Sequence, residues 1–198
     1  MVAKESASEH NLNGVPSVSS PAAANRMTSV PSPEGRRILV AVVTGEAGER
    51  IQAWRLQHDR EQAERLPPHA TLCYWAPTAE PEQLEQQVRH AFCAPVDVRL
   101  GAVGQGDSDQ RTFFVEVQDT SPLDDALVRL YDGTHVSLPP VDHWRWHVTC
   151  VRDSRGRDQD ALWAAAKDLT IDAPWTVDTV AYLELKGGAY STIASWHL

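Results

Sequence analysis

Two short runs hold the residues best suited to chemistry, His69-Ala70-Thr71 and His147-Val148-Thr149. In each, a histidine is followed two positions later by a threonine. Residues two apart on a β-strand share a face. The imidazole and the hydroxyl of each run would thus project together, with Ala70 and Leu72, or Val148 and Cys150, turned to a core. Two imidazoles and two hydroxyls around one space suit in-line displacement at phosphorus. Histidine's ordinary pKa lies near 6.5, so one ring can be neutral and the other protonated close to neutral pH. The neutral ring takes a proton from attacking water and the protonated ring delivers one to the departing alkoxide. The threonine hydroxyls can donate to the non-bridging oxygens, where charge builds in the transition state. Leaving-group protonation does the work a metal would otherwise do, so the reading includes no metal and no cofactor.

One His-x-Thr match means little. Eight histidines and twelve threonines in 198 residues give a chance match in about every second sequence of this composition. The weight comes from where the two matches fall. Order is expected from Arg36, in an apolar β-branched strand over residues 36–43 (RRILVAVV). A helix over 46–58 follows, then a strand over 69–75 (HATLCYW) entered through Pro67-Pro68. A helix over 81–92 carries Leu84, Val88 and Phe92 at intervals of four, and a strand over 96–103 closes the half. The second half runs strand 112–117, a helix from Ser121-Pro122 to about Tyr131, strand 147–152, helix 158–169 and strand 175–185. The order is β-α-β-α-β, twice. His69 lies 31 residues after Ile38, and His147 lies 34 residues after Phe113. The expected fold is therefore α+β and bilobal, a pseudo-two-fold duplication with a central cleft between two mainly antiparallel sheets. His135-Val136-Ser137 is a competing His-x-hydroxyl match. It runs into Leu138-Pro139-Pro140, and proline disfavours an interior strand, so His147 is preferred. His143 and the other histidines read as exposed or structural.

At these residues the chain resembles the 2H phosphoesterase superfamily, in particular its 2′-5′ RNA ligase-like, cyclic phosphodiesterase branch. PPHATLCYW around His69 looks like the first signature of that group and WHVTCVR around His147 like the second. The 78-residue spacing is also similar. The resemblance spans about residues 36–198. It implies a metal-independent phosphodiesterase acting on 2′,3′-cyclic phosphates, 2′-5′ linkages or related nucleotides. His69 and His147 would be the catalytic pair, and Thr71, Thr149 and Arg152 the phosphate-binding set. Strict alternation puts Arg152 on the face opposite His147, so it reaches the cleft only if the strand ends or bulges. Tyr74 and Trp75 are candidates for base stacking; Lys186 and Tyr190, after the last expected strand, are further candidates.

The net charge is −9, of which residues 1–34 contribute −1. A protein of long nucleic acid usually shows a basic stripe that releases counterions, and none is visible here. A phosphate would be held by a few local groups, which favours a small nucleotide or an RNA end over a long duplex and argues against RNA ligation more than against hydrolysis. Residues 1–35, rich in Ser, Ala, Pro and Asn, read as a disordered tail. No apolar run approaches the ~18 residues of a membrane span, and the first residues lack the apolar segment of a secretory signal. Cys73, Cys93 and Cys150 form no C-x-x-C pair and read as reduced thiols. The expectation is a cytoplasmic monomer with no membrane partner. Two alternatives share the fold: a nuclease for cyclic oligonucleotide signals or RNA ends, and a catalytically silent nucleotide-binding module.

Overall fold

The computed structural model describes residues 35–74, 76, 79–106, 112–132, 146–169 and 171–198. Eight strands in these residues form one sheet, every neighbouring pair antiparallel, in the order β6-β3-β4-β5-β2-β1-β7-β8. They are β1 (Arg37–Val42), β2 (His69–Cys73), β3 (Val96–Gln105), β4 (Phe113–Gln118), β5 (His147–Val151), β6 (Ala173–Val177), β7 (Thr179–Lys186) and β8 (Ala189–His197). The helices are α1 (Gly45–His58), α2 (Arg60–Arg65), α3 (Pro81–Ala91), α4 (Ser121–Tyr131) and α5 (Gln159–Asp168).

The sheet divides into two four-stranded halves at its middle, where β2 and β5 share a single register pair, Ala70 opposite Val148. The bilobal α+β architecture is thus present, with both His-x-Thr strands at the junction. The halves are not the two halves of the sequence. Strand β3 joins the lobe of β4, β5 and β6, and β7 joins the lobe of β1, β2 and β8. The expected strand over 175–185 is really two. Val177 pairs with Val96 in one lobe, Val180 pairs with Ala41 in the other, and the chain crosses over at Asp178. The side chain of Asp178 accepts hydrogen bonds from Thr44 and Thr179, and its carbonyl accepts from the Leu198 N–H at 2.8 Å, which fixes that crossing.

One face of the sheet carries the main core. Leu39, Ala41, Ala70, Leu72, Val115, Val148, Cys150, Val180 and Tyr182 face Ile51 and Trp54 of α1, Leu84 and Val88 of α3, Leu123 and Leu127 of α4 and Leu162 of α5. The opposite face holds a smaller cluster in the β1 lobe, Ile38, Val40, Ala181 and Leu183, covered by Leu66 and Tyr190. Strand β1 is therefore buried on both faces, which is why it reads as a continuous apolar run rather than an alternating one. Among the described residues no helix is long and apolar enough to cross a membrane.

Candidate active site

The two His-x-Thr runs meet at the centre of the sheet. Ala70 and Val148 are both fully buried and lie opposite one another. Antiparallel pairing about that point sets His69 beside Thr149 and Thr71 beside His147, all four on the face away from the main core. Each row thus holds one imidazole and one hydroxyl. The two histidines are diagonal neighbours, a relation that spaces such residues about 7–8 Å apart, somewhat less between Cβ atoms, and leaves room for one phosphorus between them.

Both strands are held by contacts just outside the motifs. Leu66, before Pro67, has the extended backbone that a following proline enforces (φ −161°, ψ 131°), and this turns the chain from α2 into β2. The Pro68 carbonyl accepts from the Val43 N–H at 2.9 Å, extending the β1–β2 ladder. At the other motif, the buried Trp146 donates its indole N–H to Asp124 of α4 at 2.6 Å. Its carbonyl accepts from the Val117 N–H at 3.1 Å. These bonds fix where β5 begins and so where His147 stands.

The Nδ1 of His69 lies 2.7 Å from the Pro67 carbonyl. A carbonyl oxygen only accepts, so Nδ1 carries the proton and Nε2 is left with a lone pair. Desolvation pulls the His69 pKa down to about 4; the Pro67 carbonyl opposes that shift, while the charges of Arg55, His147 and Arg152 add to it. The ring is therefore a neutral base near neutral pH. His147 packs against Phe114 of β4, ring centroids 5.3 Å apart and tilted by 55°. Phe114 in turn lies across Gly104 of β3, where a Cβ would come within 2.7 Å of the ring. Only glycine leaves that space open.

A cleft of about 280 Å³ opens on this face, lined by His69, Thr71, Thr149, Arg152, Tyr74 and Tyr190 among others. His147 stands beside this lining rather than in it. Arg152 reaches the cleft because β5 ends at Val151 and the alternation ends with it. The Arg152 backbone is pinned on both sides: its N–H donates to Asp59 at 3.2 Å and its carbonyl accepts from the Thr112 hydroxyl at 2.8 Å. Tyr74 sits at the rim, 43% exposed. Tyr190 enters the cleft with its hydroxyl accepting from Arg36 at 2.7 Å. Lys186 is not brought to the site. It follows Val180, Tyr182 and Glu184 on the other face of β7 and forms an ion pair with Glu184, away from the residues that line the cleft. Trp75, His135 and His143 lie outside the described residues.

Three lining arginines escaped the sequence reading: Arg36, Arg55 and Arg65. With Arg152 they place four guanidinium groups around one cleft whose described lining includes no carboxylate. The overall acidity of the chain hides this concentration of positive charge. Among the described residues no cluster of three or more His, Cys, Asp or Glu side chains is placed to hold a metal ion. The three cysteines are unpaired, and burial pushes the Cys150 thiol up to about 12, which keeps it protonated and inert.

A family model described as the 2′-5′ RNA ligase superfamily matches residues 44–189. No curated protein matches the chain. Among solved structures the fold is similar to that of a phosphoesterase, 17% identical over 83% of this chain and 98% of that one, with a TM-score of 0.52. It is similar to the same extent to E. coli LigT in complex with 3′-AMP, 17% identical over 83% and 98% of the two chains, with a TM-score of 0.50.

Proposed function

The chain belongs to the 2′-5′ RNA ligase superfamily of 2H phosphoesterases, and on that premise we propose that it is a metal-independent phosphodiesterase acting on a 2′,3′-cyclic phosphate or a 2′-5′ linkage. The observation that carries this reading is the diagonal placement of His69 and His147 on the two central strands, each with a threonine of the other motif beside it. Nε2 of His69 takes a proton from a water molecule as its oxygen bonds to phosphorus. Opposite the attack, the P–O bond to the leaving ribose oxygen breaks, and protonated His147 supplies the proton that oxygen needs. Thr71, Thr149 and Arg152 donate to the non-bridging oxygens. For a cyclic phosphate the product is a nucleoside phosphomonoester, the class to which the 3′-AMP bound by LigT also belongs.

Hydrogen bonds to a charged oxygen contribute about 1.5–3 kcal/mol each, which is roughly ten- to a hundredfold in rate. Thr71→Val and Thr149→Val are each expected to lower kcat by that much and to leave thermal melting unchanged, since both side chains face the cleft and valine keeps their shape. A loss of activity that tracked a lowered melting temperature would make these threonines structural instead. The substrate class is tested by comparing a 2′,3′-cyclic mononucleotide, a linear 2′-5′ dinucleotide and a cyclic dinucleotide. Turnover of either of the first two supports the reading. Turnover of the cyclic dinucleotide alone would replace it with a signalling nuclease, and binding without turnover would leave a silent binding module.

A further inference from the structure

The cleft holds more positive charge than a single phosphodiester, which carries one negative charge, calls for. Arg55 is 2% exposed, and its Nη atoms donate to the carbonyls of Gln62 and Leu66 and to the Gln52 side chain, all neutral partners. Its Nε and that of Arg65 are buried without a hydrogen-bond partner. Neither guanidinium forms an ion pair among the described residues, in a chain whose net charge is −9. Shutting a guanidinium away from water is costly; the Asp59 carboxylate offsets part of that cost at Arg55, and an anionic ligand in the cleft would offset more.

These arginines share one side of the cleft. Leu66, next to Arg65, covers the Ile38–Leu183 cluster together with Tyr190, and Tyr190 accepts from Arg36. Val40 lies opposite Thr71, and Arg36 is four residues before it, about 13 Å along an extended chain. Arg36 thus lines the same cleft as Thr71 from a position that a substrate longer than the reacting phosphate alone would have to reach.

We infer that Arg65 and Arg36, braced by Arg55 and Tyr190, form a second anion subsite that binds a further phosphate on the same substrate. The preferred substrate is then a nucleotide or RNA end carrying a phosphate besides the reacting one. This rests on the phosphodiesterase reading above and deepens it.

The test compares adenosine 2′,3′-cyclic phosphate with its 5′-phosphorylated counterpart. Charge-assisted contacts from two arginines predict a preference of about tenfold or more in kcat/KM for the 5′-phosphorylated compound. In Arg65→Gln and Arg36→Gln the ratio should fall towards one. Arg65→Gln removes no internal hydrogen bond of Nε, so the fold is expected to tolerate it. Equal kcat/KM values in the wild type, or a preference kept in both variants, would overturn the subsite. If neither compound is turned over, the phosphodiesterase reading falls, and the subsite is judged by binding alone. Adenosine 3′,5′-bisphosphate should then bind at least about tenfold tighter than 3′-AMP in the wild type but not in Arg65→Gln; equal binding would overturn it.

Discussion

Replacing His69 or His147 with alanine is expected to lower kcat by about 10²–10⁴, the usual contribution of one positioned proton transfer. Both rings stand on the cleft face of strands whose packing residues, Ala70 and Val148, point the other way. The fold should therefore survive either change, with a native far-UV spectrum and a single cooperative melting transition. The two losses have different chemical causes, and this separates the roles. His147 as acid matters only while the leaving oxygen needs a proton. A diester with a p-nitrophenolate leaving group needs none, so His147→Ala should recover most of its activity on it. His69→Ala should not recover, because the attacking water still needs a base. Recovery by His69→Ala alone would reverse the assignment.

The second large effect concerns pH. His69 acts as a base only when neutral, and its pKa lies near 4 because it is desolvated and faces the charges of Arg55, His147 and Arg152. The acid limb of kcat/KM should thus stay level well below pH 6 and fall only as pH approaches 4. An ordinary histidine at 6.5 would already have lost about thirtyfold at pH 5. Arg152→Gln removes one of the cationic neighbours and should move the limb upward. An acid limb near 6.5 in the wild type would contradict the neutral-base assignment. The same shift acts on stability. Between pH 6.5 and about 4 the unfolded chain takes up a proton that folded His69 refuses, so acidification through that window favours unfolding. His69→Ala lacks this contribution and should lose less stability over the same range.

How much of this was legible in the sequence depends on how local the signal is. The His-x-Thr strands could be read from alternation and from the prolines and tryptophan that precede them. The end of β5 at Val151, which brings Arg152 round to the cleft, was readable as a condition though not as a fact. Strand pairing was not legible. The chain crosses between lobes at Asp178, where the core-facing positions shift from Trp175 and Val177 to Val180 and Tyr182, a one-residue change of parity that a continuous strand over 175–185 passes over. Helix α2 (REQAER) buries only Ala63 and so shows no periodic apolar face. Strand β8 was missed although Gly187 and Gly188, both at positive φ (57° and 83°), make the two-residue turn that such a dipeptide favours. Its burial pattern shows why, since most of its residues are partly or fully exposed and no clear alternation results. The arginine wall was invisible for a different reason. Arg36, Arg55, Arg65 and Arg152 come from four separate segments, and only the folded chain sets their charges against one another.

The central claim is that two histidines cleave a phosphodiester without a metal. Its most direct measurement is turnover of a 2′,3′-cyclic mononucleotide by wild type, His69→Ala and His147→Ala in the presence of EDTA. The predicted result is a wild-type rate unaffected by the chelator and losses of about a hundredfold or more in each variant. Abolition of wild-type activity by EDTA, or a wild-type rate in either histidine variant, would contradict it.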